Sequence, residues 1–168
     1  MATTAYLGLG ANLDDRLGNL QRAVDLLGAR TGVRIVRSSR VYESEPVGGP
    51  PQPDYLNAVL EVRTDLSALD LLAACQWVEE EMGRVRTVHW GPRPIDIDVL
   101  TFGDEVIDEP DLVVPHPRMH ERGFVLLPLT ELCADPPLPG GRRLATLRVG
   151  PDVGFGVRPF ASPLRVPA

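Results

Sequence analysis

The chain has 168 residues, with 17 basic and 23 acidic side chains and a formal charge of −6. Its length suits one domain, or one domain plus a tail, and its 43% apolar and 24% charged content excludes wholesale disorder. The acidic balance excludes nucleic-acid binding by bulk charge, and the absence of any lysine excludes a Walker A loop and Schiff-base chemistry, so side-chain cations for an anionic ligand must be Arg.

Thr3 to Leu9 alternates apolar and small residues and predicts the first strand. The stretch Gly8-Leu9-Gly10-Ala11-Asn12 lacks the third glycine of a dinucleotide fingerprint, so it reads as a tight strand-to-helix turn, with Asn12 or Asp14 capping the helix. Leu13, Leu17, Leu20, Val24 and Leu27 then form one helical stripe that ends near Gly28 to Gly32. Val33 to Tyr42 predicts a second strand, and VGGPPQP, from Val47 to Pro53, a loop. Tyr55 to Arg63 predicts a third strand, with Leu56, Ala58, Leu60 and Val62 on one face. Ser67 with Asp70 resembles a capping box ahead of a second stripe, Leu71, Cys75, Val78 and Met82. Ile95 to Phe102 predicts a fourth strand, and Gly123 to Leu132 a further helix in which Pro128 implies a kink or a late start. Residues 136 to 168 are rich in Pro and Gly and predict a poorly structured tail with at most short strands.

The order β-α-β-β-α-β is the signature of a ferredoxin-like sandwich, an antiparallel sheet with helices on one face, in the α+β class. Cys75 and Cys133 form no CxxC pair and read as buried free thiols. No charged leader with an apolar run opens the chain, and no run approaches the ~18 residues of a membrane span. A soluble cytoplasmic protein is expected, with no membrane partner.

Five constellations bear on chemistry. In RPIDIDVL, a strand puts Asp96 and Asp98 on one face, with Cα atoms about 6.5–7 Å apart. Paired carboxylates call for a cation, and Mg²⁺ suits them while keeping sites for water and phosphate; a solvated charged face is the bland alternative. Arg84, Arg86, His89, Trp90 and Arg93 lie within ten residues. Arg forks suit a polyphosphate, and the indole a stacking surface or a lid; a solvated basic loop is the alternative. His116, Arg118, His120 and Arg122 share one loop, where Pro117 argues against a helical zinc pair and phosphate contacts fit better. Tyr55 and Asn57 share a strand face that could stack on and hydrogen-bond a flat heterocycle, or simply meet solvent. The fifth is the glycine stretch already read as a turn.

Together and in order, YLGLGANL, SRVYESEPVG, QPDYLNAV, GRVRTVHWGPRPIDIDVL and VPHPRMHERGFVLLPL resemble the 6-hydroxymethyl-7,8-dihydropterin pyrophosphokinase family of folate biosynthesis, from about Ala5 to Ala134. The resemblance implies a ferredoxin-like core in residues 1–135, with residues 136–168 as an extension. It implies transfer of diphosphate from ATP to the pterin hydroxymethyl oxygen with release of AMP, and two Mg²⁺ ions. By matching position it gives Asp96 and Asp98 as metal ligands, with Asp96 near the reacting hydroxyl. Tyr55 and Phe124 would sandwich the pterin, Asn57 would read its amide edge, and Ser44 and Val47 would line the pocket. Arg84, Arg93, His116 and Arg122 would hold phosphates, with Arg84 and Arg93 among the catalytic set. Arg86 would reach in as a lid closes, Trp90 would be the lid indole, and Gln76 and Glu79 would lie on the nucleotide side. No residue stands out as a general base, so positioning and charge neutralisation should carry the rate.

The main alternative is a non-catalytic ferredoxin-like module that binds a small metabolite, which would need neither the paired aspartates nor the Arg-Trp loop. A ferredoxin-like RNA binder would need an aromatic, basic sheet face, and 5% aromatics with a charge of −6 supply neither. A different heterocyclic acceptor is a third alternative. The expected protein is monofunctional and a monomer.

Overall fold

The structure is a computed structural model and describes residues 2–46, 51–83, 94–142 and 156–167. Val47, Arg84, Arg86, His89, Trp90 and Arg93 lie outside the described residues. The main sheet is built from β1 (Thr3–Ala11), β2 (Val33–Ser38), β3 (Val41–Ser44), β4 (Tyr55–Thr64), β5 (Asp96–Phe102) and, close to the C-terminus, β8 (Val157–Ala161). A separate hairpin joins β6 (Ile107–Glu109) to β7 (Leu112–Val114). The helices are α1 (Arg16–Gly28), α2 (Ala68–Glu81) and α3 (Gly123–Leu132). Among the described residues the sheet order is β5-β1-β4-β3-β8, with β2 also paired to β4. Every pairing is antiparallel. Mixed α and β structure in this order is the expected ferredoxin-like arrangement.

Period-two alternation creates the two faces of the sheet. Ala5, Leu7, Leu9 and Ala11 of β1, Leu56, Ala58, Leu60 and Val62 of β4, and Ile97 and Val99 of β5 are buried in one core. Against that face α1 packs Leu20, Ala23, Val24 and Leu27, and α2 packs Leu71, Ala74, Cys75 and Val78. Each fully buried Leu or Val is worth roughly 1.5–3 kcal/mol of transfer free energy. The opposite face is divided. Its lower half, with Val59 and Leu100, is covered by α3 through Val125, Leu126 and Leu129, together with Met119. Its upper half is not part of either core.

The structure corrects several expectations. The glycine stretch is no turn: β1 runs through Gly8 and Gly10 to Ala11, because it is bonded on both sides, to β4 and β5. That two-sided ladder outweighs the ~0.5–1 kcal/mol cost of each strand glycine. The cap of α1 is Asp15, whose carboxylate accepts from the Gly18 amide at 3.0 Å, rather than Asn12 or Asp14. Asn12 is buried and donates instead to Gln52 Oε1 at 2.8 Å and the Pro53 carbonyl at 3.1 Å. Asp14 takes a left-handed φ of 56°. Leu17, expected in the α1 stripe, is exposed, and Leu13 precedes the helix. The Ser67 cap is present, accepting from the Asp70 amide at 3.1 Å.

The expected single strand from Val33 to Tyr42 is two strands broken at Ser39 and Arg40. The break is held by hydroxyls: Ser39 Oγ accepts from the Val59 amide at 2.9 Å, and Ser38 Oγ accepts from the Leu164 amide at 3.2 Å. Local hydroxyl bonds of this kind offer the backbone an alternative to the ladder. Helix α3 starts at Gly123, where expected, and continues through Pro128. Cys75 is buried and free, but Cys133 is only half-buried, at the end of α3. The β6–β7 hairpin was not anticipated, since its strands are too short for a periodic signal. Among its described residues the tail forms one short strand, β8, which pairs with β3, and Leu164 beyond it joins the main core.

Replacing Ser39 by Ala strands the buried Val59 amide, so unfolding in urea should shift by about 1–3 kcal/mol while an exposed control such as Ser162→Ala stays unchanged.

Candidate active site

The half of that face that no described element covers collects several of the residues singled out from the sequence. Antiparallel register sets Asp96 of β5 opposite Gly10 of β1, and Gly10 opposite Asn57 of β4. Asp98 lies opposite Gly8 in the same way. Directly opposed residues share a face, so both aspartates, both glycines, Asn57 and Tyr55 lie on the side away from α1 and α2. Ser44, opposite Tyr55, joins them: Asn57 Nδ2 donates to Ser44 Oγ at 2.7 Å, and both side chains are buried.

Gly10 sits between the carboxylate and the carboxamide. A Cβ added there would stand 3.5 Å from Asn57 Oδ1 and 3.6 Å from the Tyr55 ring. Glycine therefore keeps the sheet floor low between Asp96 and Tyr55. Asp96 is half-buried and Asp98 exposed. Between them, the Ile97 amide donates to the buried Glu79 carboxylate at 3.1 Å, which ties α2 to the middle of the acidic strand. Gln76, one turn earlier on α2, is exposed.

His116 follows β7 and is fastened by its amide to the Leu100 carbonyl at 2.8 Å. Its Nδ1 accepts from the Arg118 amide at 3.3 Å, so the neutral ring carries its proton on Nε2. Burial lowers the His116 pKa below its usual value. Asp98 opposes that shift, and Arg122 and Arg118 reinforce it, so these four groups act on one another. The Asp98 charge also reaches the buried Cys75 thiol, whose pKa is raised first by burial and then by Glu79 and Asp98. Arg122 precedes α3, with its guanidinium 5.6 Å from the Phe124 ring centroid, and Phe124 packs on the second core.

The open end of the β3–β4 ladder carries an ion-pair network that sequence reasoning missed. Arg16 Nη1 donates to Glu43 Oε2 at 2.7 Å and to the Asp54 carbonyl at 3.0 Å. Arg158 of β8 donates to Glu43 Oε1 at 2.5 Å and to Asp54 Oδ2 at 3.0 Å. No local motif links these four residues; the register of β3 with β4 and β8, together with the packing of the start of α1, brings them together.

The paired aspartates of β5, the Tyr55–Asn57–Ser44 cluster and His116 with the neighbouring Arg118 and Arg122 are thus carried by one ferredoxin-like domain. Comparison with known proteins agrees. The family model for 7,8-dihydro-6-hydroxymethylpterin-pyrophosphokinase matches residues 6–134. Proteins named 2-amino-4-hydroxy-6-hydroxymethyldihydropteridine pyrophosphokinase are similar over most of their length. The one from Bacillus subtilis is 46% identical over 133 residues, 79% of this chain and 80% of that protein. The one from Pseudomonas aeruginosa is 44% identical over 147 residues, 88% and 91%. Among solved structures, Plasmodium falciparum HPPK-DHPS with pterin and p-hydroxybenzoate has a TM-score of 0.62 at 18% identity. The match covers 79% of this chain and 40% of that longer one, and it speaks for the fold alone. The chain belongs to the 7,8-dihydro-6-hydroxymethylpterin-pyrophosphokinase family.

Glu43 makes the network sensitive to acid. Its hydrogen bond from Arg16 holds its carboxyl below the usual range, against desolvation and with help from Arg158. A depressed folded pKa contributes stability above the unfolded value, and that contribution is lost as pH falls through the folded value. Glu43→Gln should therefore be less stable than wild type at pH 7, and the gap should close below about pH 4; thermal unfolding across pH 3–7 measures it.

Proposed function

We propose that this chain transfers diphosphate from ATP to the hydroxymethyl group of 6-hydroxymethyl-7,8-dihydropterin, releasing AMP and the pterin diphosphate for folate synthesis. Membership of the family supports the reaction. The observation that carries the site is the row Asp96–Gly10–Asn57 across three strands, with Ser44 and Tyr55 at one end and His116 near Asp98.

The acceptor lies on the Gly10 floor. Tyr55 stacks on one side of its ring and Phe124 on the other, and Asn57, oriented by Ser44, reads its amide edge. Val47 lines the same pocket. The hydroxymethyl group then points toward Asp96; its oxygen attacks the β-phosphorus and gives up its proton to solvent water, while the bond from that phosphorus to the AMP oxygen breaks and AMP departs in line. No side chain is required as a general base; orientation and charge neutralisation lower the barrier.

The nucleotide takes the other flank. Neutral His116 donates from Nε2 to a phosphate oxygen, and Arg122 pairs with the triphosphate. Arg84 and Arg93 bind the transferring group, Arg86 closes over it, and Trp90 is the lid indole at the edge of the pterin and the nucleotide. Gln76 and Glu79 line the nucleotide side of α2, where Glu79 also holds the Ile97 backbone between the aspartates.

Asp96 and Asp98 are hard oxygen donors on one face, half-buried and exposed, which fits a divalent cation completed by water and phosphate oxygens. Among the described residues no group of three His, Cys, Asp or Glu could hold a metal by itself. We assign two Mg²⁺ ions to these two residues; bound there, they would supply charge neutralisation along the triphosphate. Residues 1–135 form the catalytic part and 136–168 an extension to it. The enzyme acts as a cytoplasmic monomer on small molecules; no described helix is long and apolar enough to cross a membrane.

With ATP, Mg²⁺ and the pterin, wild-type protein should release AMP, and Asp96→Ala and Asp98→Ala should each lose about 10²–10⁴-fold in kcat while remaining folded. AMP release that ignores the pterin, or full activity in either variant, would overturn the assignment.

Gly10→Val should raise KM for the pterin more than tenfold, because the branched side chain stands where the ring lies, with little change in KM for ATP; initial rates with each substrate varied in turn measure the split.

A further inference from the structure

The extension carries a strand, β8, whose Val157 pairs with Ser44 at the end of β3. We propose that Arg158 on β8 is a positioning residue for the pterin site, locking the end of the β3–β4 ladder at which the pterin is held. This inference rests on the function proposed above.

The ladder between β3 and β4 ends at the pair Ser44 and Tyr55. Both are pocket residues, and beyond them the chain leaves the sheet. Ladder ends fray unless something outside the ladder holds them. Here the residues next to that last pair are held: Glu43 precedes Ser44, and Asp54 precedes Tyr55. Arg158 Nη2 contacts the Glu43 and Asp54 carboxylates at 2.5 and 3.0 Å, and Arg16 spans the same two residues from α1. Two guanidiniums thus join the two strands where the backbone pairing stops.

The register makes this a designed place for the contact. Glu43 and Arg158 are direct partners across β3 and β8, and Ser44 is the direct partner of Val157. Ser44 is therefore bracketed by Tyr55 on one side and β8 on the other. Phe160, two residues on, lies 5.4 Å under the Arg16 guanidinium and steadies the second cation. Pro159 sits between them in the edge strand, where a missing amide costs least. Because Ser44 orients Asn57 through a 2.7 Å bond, a shift at the ladder end passes to the group that reads the heterocycle.

Arg158 and Arg37 provide a matched comparison. Both side chains are about half exposed, 51% and 52%, and both pair with a carboxylate 15% exposed. Arg37 bonds Glu61 at 2.7 Å, but on β2 and β4, away from the Ser44–Tyr55 end. A purely structural role predicts similar behaviour for the two.

The test is steady-state kinetics on full-length Arg158→Met, Arg158→Lys and Arg37→Met, with thermal unfolding and amide exchange at Tyr55 and Asn57. Arg158→Met should raise KM for the pterin about tenfold and leave KM for ATP within twofold. Arg158→Lys should recover most of that loss, and Arg37→Met should change stability without changing KM for the pterin. Exchange at Tyr55 and Asn57 should quicken in Arg158→Met alone. If Arg158→Met does not fold, Asp54→Asn, which removes one of the two carboxylates that Arg158 holds, carries the comparison, and an unchanged pterin KM in it overturns the proposal. A pterin KM within twofold of wild type in Arg158→Met, or an equal rise in Arg37→Met, also overturns it. Were wild-type protein to make no pterin diphosphate, the proposed function would fall, and unchanged amide exchange in Arg158→Met would overturn the positioning role by itself.

Discussion

The hydrogen-bond register of β1 is the constraint on which the rest depends. This strand is paired on both sides, with β4 along its whole length and with β5 along most of it. Antiparallel pairing fixes which residues stand side by side, and pleating fixes which of them share a face. Slipping β1 by one residue would send Leu7 and Leu9 to the uncovered face and turn the glycines into the core. The cost of exposing those side chains keeps the register single-valued. The same register sets Asp96, Gly10 and Asn57 in a row, so core burial and site geometry are one interaction seen from two faces.

The uncovered face shows how a small domain divides its labour. Helix α3 and Met119 seal one half with apolar side chains. The other half carries carboxylates, a carboxamide, a hydroxyl and an aromatic ring. Its polar groups are individually anchored, Asn57 by Ser44, the acidic strand by Glu79 and His116 by the Leu100 carbonyl. Such anchoring keeps these side chains in one geometry without any ligand present. The ion pairs at the end of the β3–β4 ladder extend the same logic to the backbone, with β8 bringing Arg158 to a position otherwise served by α1 alone.

Much of this was legible beforehand. Alternating apolar residues in β1 and β4, the α2 stripe, the Leu20, Val24 and Leu27 part of the α1 stripe and the Ser67 cap are local patterns, and each appears where expected. The family motifs named the aspartates, Tyr55, Asn57, His116, Arg122 and Phe124. The failures share a cause. Gly8 to Asn12 looked like a turn because glycine favours turns locally, yet pairing on both flanks made it strand. Val33 to Tyr42 looked continuous because Ser39 is compatible with a strand until its hydroxyl takes the Val59 amide. Asn12 looked like a cap until the loop at Gln52 and Pro53 claimed its side chain.

Sequence alone was enough for the periodic strands and helices, the apolar face of each of those, and the family. Those follow from periodicity and from residue chemistry, which act within a few positions along the chain. Tertiary structure alone decided that Gly10 lies between Asp96 and Asn57, that Glu79 grips Ile97, and that Glu43 and Asp54 share Arg16 and Arg158. These are pairings between segments far apart in sequence. They exist only once the strands have chosen their neighbours, because a hydrogen bond or an ion pair acts over about 3 Å of space and takes no account of distance along the chain.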